Sequence, residues 1–490
     1  MPSPEIALAP QESTRPRTQP HTVAPGSPRP RVGLRVLLLA LTSAVLLWLC
    51  YFPLAWGWLA WVALVPFLAL VRSSARRRTI YLSAWLGGFA FYLPAMQWMR
   101  VADPRMYFTW IGLAFYCSLY FPLALYLMRF LDRRTPLQFL VTVPVVWVAL
   151  EFLRSTFITG FSWYLLSHTQ HDFLPLIQIA DVTGAYGVSF LVAAVNAVLF
   201  ELLWSRQAFR AWLAGADARP RGGRSGLLAQ ALVVLVALAG TAGYGFWRLG
   251  QDTLTPGPRL ALVQGNLDQR LKNQSAVEEE AARQVVLHFM DLSDLAVSYR
   301  PDLIVWPETS SPDPWIVEAD GSPIEQSRKS ARNMATRWRT NLLIGVNSTN
   351  RSDDHPPRRY NSAILIEPGG VMNNRYDKIH RVPFGEYVPL RDVLPWMNNF
   401  APYDFDYSVW PGQEHTRFPL VDPATKRRFT FGALICYEDT DAEVARPYGG
   451  GDGLPPADFL LNISNDGWFD GTSEHDEHLA VCRFRAVECR

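Results

Sequence analysis

Long apolar runs separated by short polar stretches fill the chain up to about Trp247, and shorter apolar runs mixed with charged residues fill the rest. The segment 36–71 has no charged residue. A membrane crossing takes about 20 residues, so this segment fits two helices that turn near Pro53. Five further runs have a similar length: 79–99, 107–128, 137–153, 188–204 and 226–247. The pattern predicts seven membrane helices rather than the buried helices of a large soluble protein.

Arginines are concentrated in alternate connections between these runs. Twelve lie in the loops after the second, fourth and sixth runs: Arg72, Arg76, Arg77, Arg78, Arg129, Arg133, Arg134, Arg206, Arg210, Arg219, Arg221 and Arg224. The intervening loops contain only Arg100, Arg105 and Arg154. Because basic loops stay in the cytoplasm, the amino terminus is predicted to be cytoplasmic and the second half of the chain to lie outside. In a bacterium, that half faces the periplasm.

Composition divides the chain into three parts. Residues 1–31 are rich in Pro, Ser, Thr and Arg, and they are predicted to form a disordered cytoplasmic tail. Residues 32–250 are expected to form the membrane domain, and residues 255–490 a second domain outside it. The net charge of +2, with arginines confined to loops, does not suggest nucleic-acid binding. The five cysteines lack CxxC spacing, so neither a disulfide framework nor a zinc site is expected.

The second half alternates short apolar runs of strand length with longer amphipathic stretches. The strand candidates are 259–267, 303–306, 341–348, 362–366, 429–435 and 458–463, and the clearest helices are 276–299 and 324–339. This alternation predicts a layered α/β domain, whose strand ends carry functional residues.

Three residues at such positions have complementary chemistry. Glu308 follows the run LIVWP, Lys378 lies in YDKIH, and Cys436 ends the run FGALI. Taken singly, they are a solvated carboxylate, a loop lysine and a small core residue. Together they supply what a thiol needs to attack a carbonyl, because Glu308 can take its proton and Lys378 can stabilise the negative charge. The main-chain amide of Tyr437 is a second candidate for binding the oxyanion.

The sequence around these residues resembles the nitrilase superfamily. The similar segments are ALVQGN, LIVWPE, YDKIHRVPFGEYVPLR, CYE, ISNDGWF and RFRAVE. The amino-terminal segments ALEFLRS, TGFSW and GAYGVSF narrow the resemblance to the apolipoprotein N-acyltransferase family. The resemblance implies an α-helical transmembrane domain followed by an α/β domain with the nitrilase-like αββα sandwich. It also implies further strands after Arg490, so the sandwich is expected to be incomplete.

The resemblance further implies a reaction. A phospholipid donates an acyl chain to Cys436 as a thioester, and the α-amine of a diacylglyceryl apolipoprotein then attacks it, at the periplasmic side of the inner membrane and without a cofactor. Glu308 is the base and Lys378 the oxyanion stabiliser. Position by position, the supporting residues are Glu386, Tyr437 and Glu438. Trp468 and Phe469 are aromatic candidates for a lid or a membrane anchor.

Other features leave alternatives open. His475 and His478 have the spacing of a helical metal pair, but no third ligand is evident, so packing or surface roles are favoured. Glu151 and Arg154, near the end of the fifth apolar run, are expected to form a structural pair. A membrane-anchored hydrolase that passes the acyl group to water, and an inactive remnant, are the competing functions.

Overall fold

The computed structural model describes residues 30–221, 223–252, 254–318, 322–351, 356–369, 372–401, 406–422, 425–451 and 453–490. Nearly all of the predicted tail lies outside these residues. The first half is helical. Its main helices are α1 (Pro30–Cys50), α2 (Arg77–Ala95), α3 (Met106–Ser118), α4 (Tyr120–Arg134), α5 (Phe139–Thr156), α6 (Ala185–Trp204) and α7 (Arg224–Leu249).

Five apolar helical segments are long enough to cross a membrane, counted over the described residues: Val32–Cys50, Met106–Arg134, Phe139–Thr159, Ala185–Trp204 and Arg224–Leu249. Helices suit a bilayer because each satisfies its own main-chain hydrogen bonds. The outer positions of α7 illustrate this, since Leu228 and Leu235 are more than 60% exposed in the isolated chain. These faces are suited to contact lipid.

The second predicted run differs from a single long helix. Short helical pieces make up Gly57–Arg72, which is too short to be one of the five spanning segments. Its end is held by a buried ion network in which the Arg72 guanidinium lies 3.0 Å from the Asp132 carboxylate and 2.6 Å from that of Glu201. Arg129 also turns inward and donates to the Leu70 and Val71 carbonyls. Some of the basic-loop arginines therefore fasten helix ends instead of facing solvent.

Glu151 and Arg154 are both buried on α5, but the expected ion pair between them is absent from the described contacts. The Glu151 carboxylate accepts hydrogen bonds from the Leu166 amide at 2.7 Å and from the Trp147 indole at 2.9 Å. The Arg154 guanidinium donates to main-chain carbonyls of the following loop, including that of Trp163 at 2.7 Å. Both charged groups are hydrogen-bonded to the loop after α5, and no salt bridge joins them in the described part of the chain, so the prediction of a direct pair was wrong.

The second half contains two sheets. The strands are β1 (Leu260–Leu262), β2 (Leu303–Val305), β3 (Ser311–Val317), β4 (Asn341–Asn350), β5 (Arg358–Ile366), β6 (Met372–Asp377), β7 (Arg417–Val421), β8 (Arg428–Ile435) and β9 (Phe459–Ile463). The larger sheet has the order β1-β2-β4-β5-β6, with β3 also pairing with β4, and the smaller has the order β7-β8-β9. Strands β1, β2 and β4 are parallel to one another. Strand β5 runs antiparallel to β4, and β6 runs antiparallel to β5.

The two sheets pack face to face, and helices cover the outer face of the larger sheet. Side chains such as Leu343 and Tyr376 from the larger sheet meet Phe431 and Ile435 from the smaller in one buried cluster. The helices are α8 (Gln269–Gln274), α9 (Glu279–Val297), α10 (Glu325–Trp338) and α11 (Glu474–Glu488). Helices α9 and α10 cover the outer face of the larger sheet through a second cluster around Trp306. This order of helices, larger sheet and smaller sheet agrees with the layered α/β domain that the sequence pattern predicted.

Helix α11 joins the α/β domain to the membrane helices. The Glu477 carboxylate accepts from the Phe52 amide at 2.9 Å, in the loop after α1. The Glu488 carboxylate accepts from the Ala185 amide at 2.7 Å, which caps the first turn of α6 from the other half of the chain. The two halves are therefore fastened at helix ends, close to the loops that carry the polar residues described next.

Candidate active site

The three residues singled out in the sequence come directly after strands. Glu308 lies three residues beyond β2, while Lys378 and Cys436 are the first residues after β6 and β8. Strands β2 and β6 belong to the larger sheet and β8 to the smaller, so the packing of the two sheets brings these ends together. The structure thus gathers residues that are up to 128 positions apart (308 to 436) at one edge of the sandwich.

Lys378 is at the centre of a buried charge network. Its ammonium nitrogen lies 3.0 Å from the Glu386 carboxylate and 3.4 Å from that of Glu308. The Asn361 amide nitrogen donates to both carboxylates, at 2.7 Å to Glu308 and 3.1 Å to Glu386. The Asn465 main-chain amide holds the second oxygen of Glu308 at 3.0 Å. Glu308 is therefore fixed in one orientation, as a general base must be.

Burial and the charges around the Cys436 thiol determine its protonation state. Burial raises the pKa of Cys436, the Glu308 carboxylate raises it further, and the Lys378 ammonium partly opposes them. Burial would lower the pKa of Lys378, but the Glu386 and Glu308 carboxylates outweigh it and raise the pKa. Lys378 is therefore always charged, whereas the thiol is protonated at neutral pH. Attack by the sulfur of such a thiol requires a base. The Glu308 carboxylate is a candidate, because its charge shifts the pKa of both Cys436 and Lys378.

The main chain at Cys436 has a positive φ of 53°. This left-handed conformation costs a non-glycine residue about 1–2 kcal/mol, and it marks a sharp turn from β8 into the 3₁₀ helix Cys436–Thr440. The Asn462 side-chain amide donates to the Cys436 carbonyl at 3.1 Å and helps to hold the turn. Such a turn keeps the half-buried thiol at the surface of the site instead of in the core.

Glu438 also stabilises this turn. Its fully buried carboxylate accepts from the Ile435 amide at 2.8 Å, from the Ile379 amide at 2.6 Å and from the Tyr376 hydroxyl at 2.8 Å. Burial raises the pKa of Glu438 to about 7, in spite of these donors and the Lys378 charge. Because Ile379 follows Lys378 and Ile435 precedes Cys436, this one carboxylate ties the end of β6 to the end of β8.

Tyr437 connects the site to the membrane helices. Its ring stacks on Trp163, with centroids 6.5 Å apart and planes 17° apart, and His380 meets its edge at 5.4 Å. Trp163 belongs to the loop after α5 that Arg154 holds. The residue next to the nucleophile is thus packed against the membrane half.

The loop after β9 closes another side of the site. Its 3₁₀ turn Asp466–Phe469 contains Trp468 and Phe469, both half-buried. The Phe469 ring meets Trp98 of the membrane half at 4.8 Å, edge to face. Since the neighbouring Asn465 amide holds Glu308, the same loop touches both this carboxylate and the membrane helices. The lid or anchor roles of Trp468 and Phe469 stay predictions.

Asn361 is a site residue that the sequence did not single out. It lies inside β5 in the run RRYNSAILI, which looks like an ordinary strand, and only the pairing of β5 with β6 brings its amide to Glu308 and Glu386. Asn465 was noted only as part of the motif SNDGWF. The polar pair Asn361 and Ser362, directly before the apolar run AILI, was the one available signal.

Replacing Asn361 with alanine is expected to slow acyl-enzyme formation about 10- to 100-fold, because hydrogen bonds to charged groups are worth about 1.5–3 kcal/mol each. The rate is measured by intact-protein mass spectrometry after addition of a phospholipid, the acyl donor that the resemblance implies. Asn347→Ala is the matched control, since Asn347 lies opposite Asn361 in the sheet register but is exposed. Equal rates in the two variants contradict a positioning role for Asn361.

His478 and His475 do not form the metal pair that their spacing suggested. His475 faces the Asp466 carbonyl, whereas the buried His478 imidazole lies between Asp439 at 2.9 Å and Asp466 at 3.2 Å. These two carboxylates outweigh burial and raise the pKa of His478 well above its usual value. Glu474, Asp466 and His478 come close enough to hold a metal ion. A protonated imidazole that donates from both nitrogens satisfies the two aspartates equally well.

Comparison with known proteins covers both halves of the chain. Residues 43–198 match the family model for the apolipoprotein N-acyltransferase N-terminal domain, and residues 259–490 match that for carbon-nitrogen hydrolase. A protein from Geobacter metallireducens named Apolipoprotein N-acyltransferase is 34% identical, covering 93% of this chain and 82% of its own. A protein of the same name from Rhodopirellula baltica is 27% identical, and the match covers 91% of this chain and 84% of that protein.

A solved carbon-nitrogen hydrolase from Helicobacter pylori G27 is also similar, at 14% identity and a TM-score of 0.28, over 47% of this chain and 68% of its own. The fold class rests instead on the family match over residues 259–490 and on the layers described above. The predicted class, a helical membrane region followed by a nitrilase-like α/β domain, is confirmed.

Proposed function

This chain belongs to the apolipoprotein N-acyltransferase family, and from that membership we propose that it N-acylates the amino-terminal diacylglyceryl-cysteine of lipoproteins. The observation that carries the proposal is the gathering of Glu308, Lys378 and Cys436 at one edge of the sandwich, next to the membrane helices. Neither a metal nor a cofactor is required by this chemistry.

The first half-reaction forms an acyl-enzyme. Glu308 takes the thiol proton, and the Cys436 sulfur attacks the ester carbonyl of a phospholipid. The oxyanion is stabilised by the Lys378 ammonium, whose charge is secured by Glu386 and Glu308. The ester bond breaks, the departing alkoxide receives the proton from Glu308, and a thioester remains on Cys436.

The second half-reaction delivers the acyl chain to the lipoprotein. Its α-amine attacks the thioester carbonyl, the carbon–sulfur bond breaks, and the thiol is restored. Both substrates are held in the membrane, so a site beside the bilayer meets them at high local concentration. Tyr437, stacked on Trp163, and Phe469, against Trp98, support an approach from the membrane side.

The proposed organisation follows the same reasoning. Residues 32–250 form the membrane domain and residues 255–490 the catalytic domain. Nine of the twelve arginines in the alternate loops have exposed side chains: Arg76, Arg77, Arg78, Arg133, Arg134, Arg206, Arg219, Arg221 and Arg224. This bias supports loops on the cytoplasmic side of the inner membrane and a catalytic domain on the periplasmic side.

The test is a two-substrate assay with the purified full-length protein. It is incubated with phospholipid vesicles and a synthetic diacylglyceryl-cysteine lipopeptide, and the products are identified by mass spectrometry. The expected products are a lipopeptide heavier by one acyl chain and a lysophospholipid. Free fatty acid without acylated lipopeptide would instead identify a hydrolase, and an unchanged phospholipid would contradict both functions.

A further inference from the structure

The site contains a second lysine whose surroundings differ from those of Lys378. Lys378 lies between two carboxylates, whereas the Lys272 ammonium nitrogen donates to a neutral group, the main-chain carbonyl of Glu308, at 2.9 Å. Within the described part of the chain, no carboxylate forms a salt bridge with Lys272. Two lysines that contact the same glutamate are thus held in opposite electrostatic environments.

The two environments favour different protonation states. Burial is the largest influence on Lys272 and lowers its pKa to about 8, although the Glu308 and Cys436 charges oppose this. The pKa of Lys378 is shifted the other way by its carboxylates. At neutral pH, about one Lys272 side chain in ten is therefore the neutral amine, which can accept a proton. When the surroundings of two titratable groups shift their pKa values in opposite directions, one group often acts as the acid and the other as the base.

The second half-reaction has a proton that Glu308 does not account for. An α-amine with an ordinary pKa of about 7.7–8.0 arrives largely as an ammonium ion, which has no lone pair to attack with. It must lose one proton before attack and another afterwards. The carboxylate of Glu308 takes the later proton and returns it to the departing sulfur, so the first proton needs another acceptor.

We propose, on the basis of the function proposed above, that Lys272 is the proton acceptor that converts the α-ammonium of the acceptor lipoprotein into the attacking amine. The α-ammonium gives one proton to the neutral Lys272 amine, and its freed lone pair forms the new nitrogen–carbon bond. The nitrogen then gives its second proton to Glu308. The carbon–sulfur bond breaks, the sulfur takes the proton from Glu308, and Lys272 releases its own proton to water.

Helix α8 holds Lys272 in a suitable place for this transfer. Asp268 caps the helix by accepting from the Arg270 amide at 2.8 Å, and the Asn465 side-chain amide donates to Gln269 at 3.2 Å. Asn465 is also the residue whose main chain holds Glu308. The Lys272 residue is only partly buried, which leaves solvent access for the proton that it releases.

The experiment separates the two half-reactions in the full-length protein. Acyl-enzyme is first formed with phospholipid, and its decay is then followed with either the diacylglyceryl lipopeptide or hydroxylamine, a nucleophile that is already neutral at pH 7. Lys272→Arg keeps the charge and the donor to the Glu308 carbonyl but cannot act as a base. Lys272→Met removes both. Lys329→Arg, at an exposed position on α10, is the matched control.

In Lys272→Arg and Lys272→Met, we expect transfer to the lipopeptide to slow about 100-fold, the lower end of general acid–base effects. Acyl-enzyme formation in Lys272→Arg and its decay with hydroxylamine should stay within about twofold of the original protein. Equal slowing with both nucleophiles, or unchanged transfer to the lipopeptide, overturns the role of Lys272. Failure of the proposed function is distinguishable, because the unsubstituted protein would then either form no acyl-enzyme or fail to pass the acyl chain to the lipopeptide.

Discussion

Cys436→Ala is expected to form no acyl-enzyme with phospholipid, a loss of at least about 10⁴-fold, because no other group replaces a missing nucleophile. The thiol is half-buried at a strained turn after β8, where Glu308 and Lys378 act on its charge. Alanine is smaller and fits the same position, so the fold is expected to persist. Intact-protein mass spectrometry detects the acyl adduct, and digestion then locates it.

Two further variants make this result specific. Cys436→Ser keeps a similar shape but is a much weaker nucleophile, so it is expected to be inactive as well. Cys482→Ala removes another half-buried thiol, on α11, and should acquire the adduct at the normal rate. An adduct that persists in Cys436→Ala but disappears in Cys482→Ala would instead make Cys482, on helix α11, the nucleophile.

The sequence pointed to Glu308 and Cys436 because each follows an apolar run that does form a strand. Lys378 follows the polar strand β6, which the pattern did not predict, and it was found through the motif YDKIH. The α/β layering followed for the same reason, since strand and helix periods are local properties. Their roles depended on co-occurrence and on the resemblance to a family. No single residue carried enough information, because a strand-end glutamate or a free cysteine is common in any α/β domain.

The residues that the sequence did not reveal act through tertiary contacts. Asn361 reaches two carboxylates because of the register between β5 and β6, and Lys272 meets Glu308 because α8 packs beside the end of β2. The opposite error concerned Arg154, for which the sequence predicted a contact that is absent among the described residues. Its neighbour Glu151 was the obvious partner along the helix. Both instead satisfy main-chain groups of the following loop, which no pattern along the sequence records.

Glu308→Gln is expected to slow acyl-enzyme formation about 10²- to 10⁴-fold at pH 7, the range for removal of a general base. Glutamine keeps the shape of the side chain and can still accept from Asn361, but it cannot take the thiol proton. The Glu308 carboxylate also raises the pKa of Cys436, so its removal lets the thiol ionise at a lower pH than before. The variant should therefore recover activity as the pH rises, more steeply than the unsubstituted protein.

This rise with pH distinguishes a missing base from a damaged site. If Glu308 only held Lys378 and Asn465 in place, its replacement would lower the rate by a similar factor at every pH, because hydroxide cannot restore a lost contact. Glu318→Gln is the matched control, since Glu318 follows β3 and pairs with Arg351 at 3.1 Å on the exposed surface. Its rate should be unchanged across the range. A parallel loss in Glu308→Gln would remove Glu308 as the base and leave Glu386, the other carboxylate beside Lys378, to be tested by the same substitution.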